Sequence, residues 1–438
     1  MKSIKSFLAC TIGNVIEWYE FIVFGYFAGI IGAVFFPASS PLLSLFKAFG
    51  VFALGIMVRP LGGLLFGHIG DKFGRKNALF LSMALMSVPT FLIGLLPTYE
   101  SIGISASVIL ILIRIAQGLA MGGEYAGTMT YLVEGATTTN RGLYGSIAAL
   151  SLVIGMALGS FVSAILHTSL NPEQMLSWGW RIPFFISFIG IVWAIYLRLC
   201  LQESPHFVQY QKDHPIVKSP IKEAFSHDLI PIITTIFSQC FLAVGMYTMT
   251  VFFSTYAQQN FKGLAPLTSA LLNTPGVLLI GVSAVLSGWL SDKWGRKKIL
   301  MVVAGAAILL SWYFAFFLEI KEVSSFFLVH LSMSVLTGCF LGPIPSFLAD
   351  CFSVKTRYTS IAFSNNLSMG IFGGTAPMMI TYLMSVYCLD TIPLYYLMLS
   401  AGVSLIGLMF VSLTCHPREA RRAKSGIQRI TRFPPSRE

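Results

Sequence analysis

Apolar runs of about twenty residues, each closed by a short polar stretch, recur along all 438 residues of the chain. They fall at 8–36, 45–70, 78–97, 103–134, 145–167, 183–200, 229–256, 268–291, 299–318, 325–349, 359–384 and 392–415. A helix needs ~20 mostly apolar residues to cross a bilayer, so twelve such runs use about 240 side chains. That is nearly the whole apolar inventory, since 55% of the chain is apolar. Only 11% of residues are charged, against about 25% in an ordinary soluble protein. A soluble enzyme, a disordered chain and a secreted disulfide scaffold are excluded on that ground. The expected fold class is an all-α polytopic membrane protein with twelve transmembrane helices.

The longest break, 201–228, carries seven charged residues and three prolines and reads as a linker between two six-helix halves. The expected units are an N-terminal half at 1–200, the linker, a C-terminal half at 229–415 and a basic tail at 416–438. The start, Met-Lys-Ser-Ile-Lys before an apolar run, superficially resembles a signal peptide, but Glu17 and Glu20 interrupt that run and favour a retained first helix. With the N-terminus placed inside, 23 of the 29 Lys and Arg fall on inner segments, four outside and two within helices. That asymmetry predicts both termini in the cytoplasm. It also accounts for the net charge of +11 without nucleic acid. Seven scattered cysteines, with no paired spacing, suggest neither a disulfide framework nor a metal site, and no cofactor is expected.

Two loop patterns repeat. Gly67-x3-Asp71-Lys72-x-Gly74-Arg75-Lys76 recurs as Gly288-x3-Asp292-Lys293-x-Gly295-Arg296-Lys297, 221 residues on, and Glu134-x6-Arg141 recurs as Asp350-x6-Arg357 at an offset of 216. Two signatures at nearly one spacing predict a parallel duplication into pseudo-symmetric halves. Asp71 closes a helix at the negative end of its dipole, where an acid is disfavoured by ~0.3–1 kcal/mol. Arg75, Lys76 or Arg141 is its expected compensating partner, and Arg296 or Arg357 that of Asp292. The functional reading is a cytoplasmic latch of Asp71, Arg75, Glu134, Arg141, Asp292, Arg296, Asp350 and Arg357; the alternative is charge that only anchors the loops.

These repeated loops, with Arg114-x-x-Gln117-Gly118 in the fourth run, resemble the major facilitator superfamily. Gly13-Asn14-x-x-Glu17-Trp18-Tyr19-Glu20-Phe21, Arg59-Pro60-Leu61-Gly62-Gly63, Gly122-Gly123-Glu124-Tyr125, Trp180-Arg181-Ile182-Pro183-Phe184, Glu203-Ser204-Pro205-x-Phe207 and Phe372-Gly373-Gly374-Thr375-x-Pro377 resemble its metabolite:proton symporters. The chain departs from that pattern at Glu20, where the usual acid is Asp, and at Ser353, where Pro is usual. The resemblance implies the major facilitator fold, alternating access, a bacterial inner-membrane location and a small carboxylate-bearing solute. Among its members are proline/betaine transporters and permeases for oxoglutarate, citrate and shikimate.

Five charges fall inside the runs: Glu17, Glu20, Arg59, Arg114 and Glu124. An ionised residue at a helix centre costs ~2.5–3.5 kcal/mol on an insertion scale, so the five are expected to face the interior and compensate one another. Glu17 and Glu20 are i, i+3 neighbours on one helix face, where two like charges oppose joint ionisation, which suits a proton carrier. Glu17, Glu20 and Glu124 are therefore candidates for proton coupling. Arg59, Arg114 and Gln117 are candidate contacts for them or for the solute, and fixed structural ion pairs are the alternative. Trp18, Tyr19, Tyr247, Tyr256 and Trp289 are candidate pocket aromatics, suited to a quaternary ammonium. Gly-x3-Gly spacings at 63/67, 118/122, 123/127, 155/159, 338/342 and 370/374 predict close helix packing, and Pro275, Pro343, Pro345 and Pro377 predict bends.

No Gly-x4-Gly-Lys-Ser/Thr loop is present, which disfavours an ATP-driven pump, and no histidine has an acid five residues downstream as membrane acyltransferases do. The expected function is proton-coupled symport, with proline or betaine preferred because intramembrane acids outnumber bases. A di- or tricarboxylate symporter, or an uncoupled facilitator or exporter of the same fold, is the alternative; an enzyme is not expected. Expected partners are a small organic solute, a proton and membrane lipid, with a functional monomer. The tail is suited to solvated disorder or to contact with anionic lipid.

Overall fold

The computed structural model describes residues 4–39, 41–200, 202–203, 207–209, 219–253, 256–257, 266–320 and 322–424, and its regular elements there are helices. Most of the expected linker and the last part of the basic tail lie outside the described residues. Spans α1 (Ile4–Tyr26, continued by Ala28–Phe35), α2 (Pro41–Phe73), α3 (Arg75–Leu95), α4 (Ile104–Gly135) and α5 (Arg141–Ser169) lead to α6 (Ser187–Cys200). After a short linker helix, Pro220–His227, come α7 (Leu229–Ser238 with Cys240–Tyr247), α8 (Pro266–Trp294) and α9 (Arg296–Glu319). Then follow α10 (Val323–Leu341 with Ile344–Cys351), α11 (Arg357–Ser368 with Ala376–Tyr387) and α12 (Ile392–Lys424).

Eleven of the described helices are long and apolar enough to cross a membrane, and the bent pair in α7 makes the twelfth crossing. That pair turns by 41° at Gln239, where no proline stands. The break frees backbone groups, and α12 satisfies one of them: the Phe241 N–H donates to Ser404 Oγ at 2.7 Å. The predicted bends are met unevenly. α10 breaks around Gly342–Pro343 and α11 at a π-turn, Met369–Gly373, ahead of Pro377. α8 instead runs unbroken through Pro275, as α2 does through Pro60 and α3 through Pro89. A second π-turn, Thr248–Phe252, extends α7.

The glycine spacings act through close backbone approach. A side chain at Gly62 or Gly122 would run into the backbone of the partner helix, at Leu119 and Arg59 respectively, so α2 and α4 pack nearly backbone to backbone. Two further seams bring the halves together: α2 lies on α11, Gly67 against Thr359, and α5 lies on α8, Gly142 against Gly288. The 370/374 pair is different. Gly370 sits in the π-turn and a side chain there would meet nothing within 4 Å, so this spacing serves the widened turn and not helix packing.

Candidate functional site

The duplicated loops meet at one end of the bundle. Asp71, buried at the end of α2, accepts from the backbone N–H groups of Tyr358 and Thr359 at 3.2 and 2.8 Å, and from Thr359 Oγ1 at 2.7 Å. Its other neighbour is Arg75, at 2.9 Å. The unfavourable end of its own helix dipole is thus offset by the positive start of α11 in the opposite half. The second copy does the same: Asp292 accepts from the N–H groups of Gly142 and Leu143, at 2.7 and 3.0 Å, at the start of α5. Arg296 lies 3.5 Å from Asp292 and also pairs with Asp350. The remaining pairs cross between halves, Arg357 to Glu134 at 3.0 Å and Arg141 to Asp350 at 3.6 Å, while Arg75 also reaches Glu134 at 3.5 Å. All eight residues expected at this end are therefore brought together. The expected partners are met within each loop, Asp71 by Arg75 and Asp292 by Arg296. The other two arginines considered go elsewhere, Arg141 to Asp350 and Arg357 to Glu134, because Asp71 sits at the start of α11 while Arg141 stands at the start of α5, and the reverse holds for Asp292 and Arg357. Lys76 contributes only its backbone N–H, to Glu203.

Sequence reasoning missed several participants here. Tyr358 is fully buried between α2 and α4, its hydroxyl donating to Gly123 O at 2.9 Å and its ring packed where side chains at Gly70 and Gly127 would stand. Glu203, just after α6, accepts from the N–H groups of Arg75 and Lys76 at 2.9 and 3.3 Å, and the Phe207 ring lies 4.6 Å from the Arg75 guanidinium. The far end of the linker binds the start of α11: Lys355 pairs with Glu223, and Thr356 Oγ1 donates to Asp228. The Glu203-Ser204-Pro205-x-Phe207 motif carried a signal for the first of these contacts, an acid placed to cap a helix start. Nothing in the sequence flagged Asp228.

Between the halves lies a cavity of about 330 Å³, bordered by α1, α2, α4, α5, α7, α10 and α11. Arg59, Trp18, Tyr125, Tyr247, Asn365 and Met369 line it, and residues of both π-turned spans, Thr250 and Val251 on one and Met369 and Gly374 beside the other, form its second-half wall. π-turns widen a helix locally and recur at functional sites. The Arg59 guanidinium lies 5.7 Å from the Trp18 ring, and its Nε donates to Asn366 Oδ1 across the halves at 3.2 Å. Trp18 meets Tyr125 edge-on at 6.3 Å.

The five intramembrane charges are buried, as expected, but they do not pair: among the described residues no ion pair within 4 Å joins any two of them. Helix α3 supplies hydroxyls instead. Ser87 donates to Glu20 Oε2 at 3.0 Å, Ser82 donates to Glu124 Oε2, and neither carboxylate oxygen of Glu17 has a protein partner. Arg114 donates to Gln117 Oε1 at 2.8 Å and is otherwise enclosed by the rings of Phe21, Phe24 and Phe52, at 5.0, 4.3 and 5.2 Å. Gln117 in turn donates to Thr90. Phe21 and Phe52 belong to the cavity wall and Arg114 does not, so Arg59 is the guanidinium at the cavity and Arg114 stands behind the rings. Ser82, Ser87 and Thr90 were missed, although hydroxyls five and three residues apart in an apolar run were a visible signal.

Three of the expected pocket aromatics lie elsewhere. Tyr19 is buried within the first half, donating to Pro183 O at 2.9 Å. Tyr256 stacks on Phe326, and Trp289 is half-exposed on the outer face of α8. Tyr19 is turned away from the cavity by its helix phase beside Trp18, Tyr256 lies past the stretch of α7 that lines the cavity, and Trp289 is on α8, which does not border it.

Residues 45–374 match the family model of the Major Facilitator Superfamily. A Staphylococcus aureus (strain COL) protein is 34% identical over 424 residues, which is 94% of this chain and 88% of its own length. The proline/betaine transporter of Escherichia coli (strain K12) is 31% identical over 416 residues, covering 92% of this chain and 82% of that protein. The fold is similar to that of the proton:xylose symporter XylE bound to 6-bromo-6-deoxy-D-glucose, with a TM-score of 0.78 at 17% identity over 95% of this chain and 98% of the other. Twelve crossings, paired aspartates on opposed helix starts and a cavity between halves describe a solute carrier and not an enzyme: the chain belongs to the major facilitator superfamily, and within it to the family of these relatives.

Proposed function

We propose that the protein is a proton-coupled symporter that imports a small zwitterionic metabolite, proline or betaine, by alternating access. The halves 1–200 and 229–415 rock about the cavity, joined by the linker 201–228, in a bacterial inner membrane with both termini and the 416–438 tail in the cytoplasm. The observation that carries the reading is the composition of the cavity wall. One guanidinium, Arg59, stands beside Trp18, with Tyr125 and Tyr247 completing an aromatic surface. A carboxylate fits the guanidinium and a cationic nitrogen fits the ring faces. The relatives named proline/betaine transporter support the same solute class. A di- or tricarboxylate would call for a second cation at the wall, and Arg114 is screened from it by Phe21 and Phe52.

Glu17, Glu20 and Glu124 are the proton carriers in this reading. Each is buried and, among the described residues, makes no ion pair within 4 Å; there an ionised carboxylate is penalised by several kcal/mol and a protonated one is not. The eight-residue cluster with Tyr358 is the cytoplasmic gate, closed in this structure and released when the halves rock. The test is uptake of labelled proline, betaine, oxoglutarate, citrate and shikimate into proteoliposomes of the purified chain with an imposed pH gradient and a pH-sensitive dye inside. Proline or betaine accumulating with stoichiometric proton entry is the expected result. Uptake of a dicarboxylate alone would overturn the substrate, and uptake with no proton movement would overturn the coupling in favour of a facilitator.

A further inference from the structure

A second cavity, about 710 Å³, opens on the outer, membrane-facing side of the bundle between α8, α9 and α10. Its walls are hydrocarbon, with Leu286, Leu290, Val302 and Val303 prominent, and its rim at the loop-motif end carries Trp289, Trp294, Lys293 and Lys298. We propose that this groove binds an anionic phospholipid, its headgroup phosphate between Lys293 and Lys298 and an acyl chain along the apolar wall. This site goes beyond the transport reading and does not depend on it.

The charge has no internal use. Among the described residues neither Lys293 nor Lys298 takes part in an ion pair, and Asp292, the adjoining acid, is turned inward onto Gly142 and Leu143. The Lys293 ammonium instead sits 3.9 Å from the Trp289 ring centroid, its stem against the groove. Leu286 is 61% and Val302 71% exposed, so the wall faces lipid, and tryptophans at this level suit the headgroup boundary. A soluble anion would satisfy the lysines and leave that wall unfilled; a zwitterionic lipid would leave a net positive rim. Basic pockets between transmembrane helices are recurrent sites for acidic headgroups.

The duplication supplies an internal comparison. At the positions of Trp289, Trp294 and Lys298, the first copy of the loop has His68, Phe73 and Asn77. There the start of α3 is covered by the Glu203 carboxylate, which a side chain at Gly74 would strike, whereas a side chain at Gly295 would meet nothing within 4 Å. The first copy is closed by a protein acid. The second has become more basic, aromatic-rimmed and open.

The test is native mass spectrometry of the full chain in detergent, titrated with phosphatidylglycerol and with phosphatidylethanolamine of matched acyl chains. Phosphatidylglycerol should be retained preferentially. The double variant Lys293→Ala with Lys298→Ala should bind it about 25-fold more weakly, at about fivefold per basic residue, with phosphatidylethanolamine binding unchanged. Lys72→Ala, the equivalent charge loss in the first copy, should have no effect. Equal retention of the two lipids by the unmodified chain would overturn the proposal even if the double variant failed to fold. So would undiminished phosphatidylglycerol binding in a folded double variant, an equal loss in Lys72→Ala, or displacement of the lipid by an equal concentration of inorganic phosphate.

Discussion

Arg357, at the head of α11, holds Glu134, at the foot of α4, at 3.0 Å. The acid belongs to one copy of the Glu/Asp-x6-Arg motif and the base to the other, and Arg141 with Asp350 completes the exchange. The motif is thus a reciprocal tie between halves, and neither copy is satisfied by its own partner. Glu134→Gln and Arg357→Gln should each open this end of the bundle, seen as faster maleimide labelling of the buried Cys351. The double variant should label little faster than either single one, since the two residues share one interaction. Additive effects would mean that they act separately.

Asp71→Asn should have a larger effect than loss of any single tie. It removes the charge from hydrogen bonds donated by two backbone N–H groups and one hydroxyl, and bonds to a charged group contribute about 1.5–3 kcal/mol each. Cys351 labelling should accelerate by at least tenfold, and uptake should fall because the outward-open state is no longer held. Unchanged labelling with normal uptake would reduce this residue to a loop anchor.

Replacing the glutamates proposed as proton carriers should separate coupling from binding. Glu20→Gln and Glu124→Gln are expected to abolish accumulation against a gradient while sparing exchange of solute across the membrane. Ser87→Ala removes the hydroxyl on Glu20 and should move the pH profile of uptake without abolishing it.

Arg59 and Tyr19 make opposite predictions although both were candidates for solute contact. Arg59→Ala should raise KM at least tenfold, because it removes the one guanidinium that the described residues place at the cavity wall. Tyr19→Phe should leave KM unchanged and cost about 1 kcal/mol of stability, the typical worth of one hydrogen bond, read as a small drop in melting temperature.

Lys355 holds the Glu223 carboxyl below the ordinary glutamate range. A depressed acid contributes stability that is complete above its unfolded value and is lost as pH falls through the folded one. The tie between linker helix and α11 should therefore be intact from neutral pH down to the glutamate range and weaken only below it. Hydrogen-exchange protection over 219–228, corrected for the intrinsic exchange rate at each pH, should be alike at pH 8 and pH 6 in the unmodified chain and lower at both in Glu223→Gln.

The crossings were legible because a bilayer leaves the backbone few options: an apolar run of the right length must be a helix, and apart from α1 and α7 they are continuous or interrupted near prolines. The charge cluster was legible as a duplicated spacing, as were the Asp71–Arg75 and Asp292–Arg296 pairs within each loop, although the pairs that cross between the halves were not. A loop motif says which charges are near the same end, while the partner of Asp71 is the start of a helix almost three hundred residues away. The placement of Tyr19, Tyr256 and Trp289 was likewise hidden, since spans surrounded by lipid on one side and protein on the other lack a clean polar face to orient them, and which spans border the cavity is set by tertiary packing. The expectation that buried charges pair failed because hydroxyls of α3 and aromatic rings serve as partners instead.

Tyr358 has a mechanical consequence for the order of events during opening. Its ring fills a keyhole cut by Gly70 and Gly127, with the hydroxyl anchored to Gly123 O. For the halves to part as proposed, α11 has to withdraw that ring from between α2 and α4, so this seam must separate before any passage forms at this end.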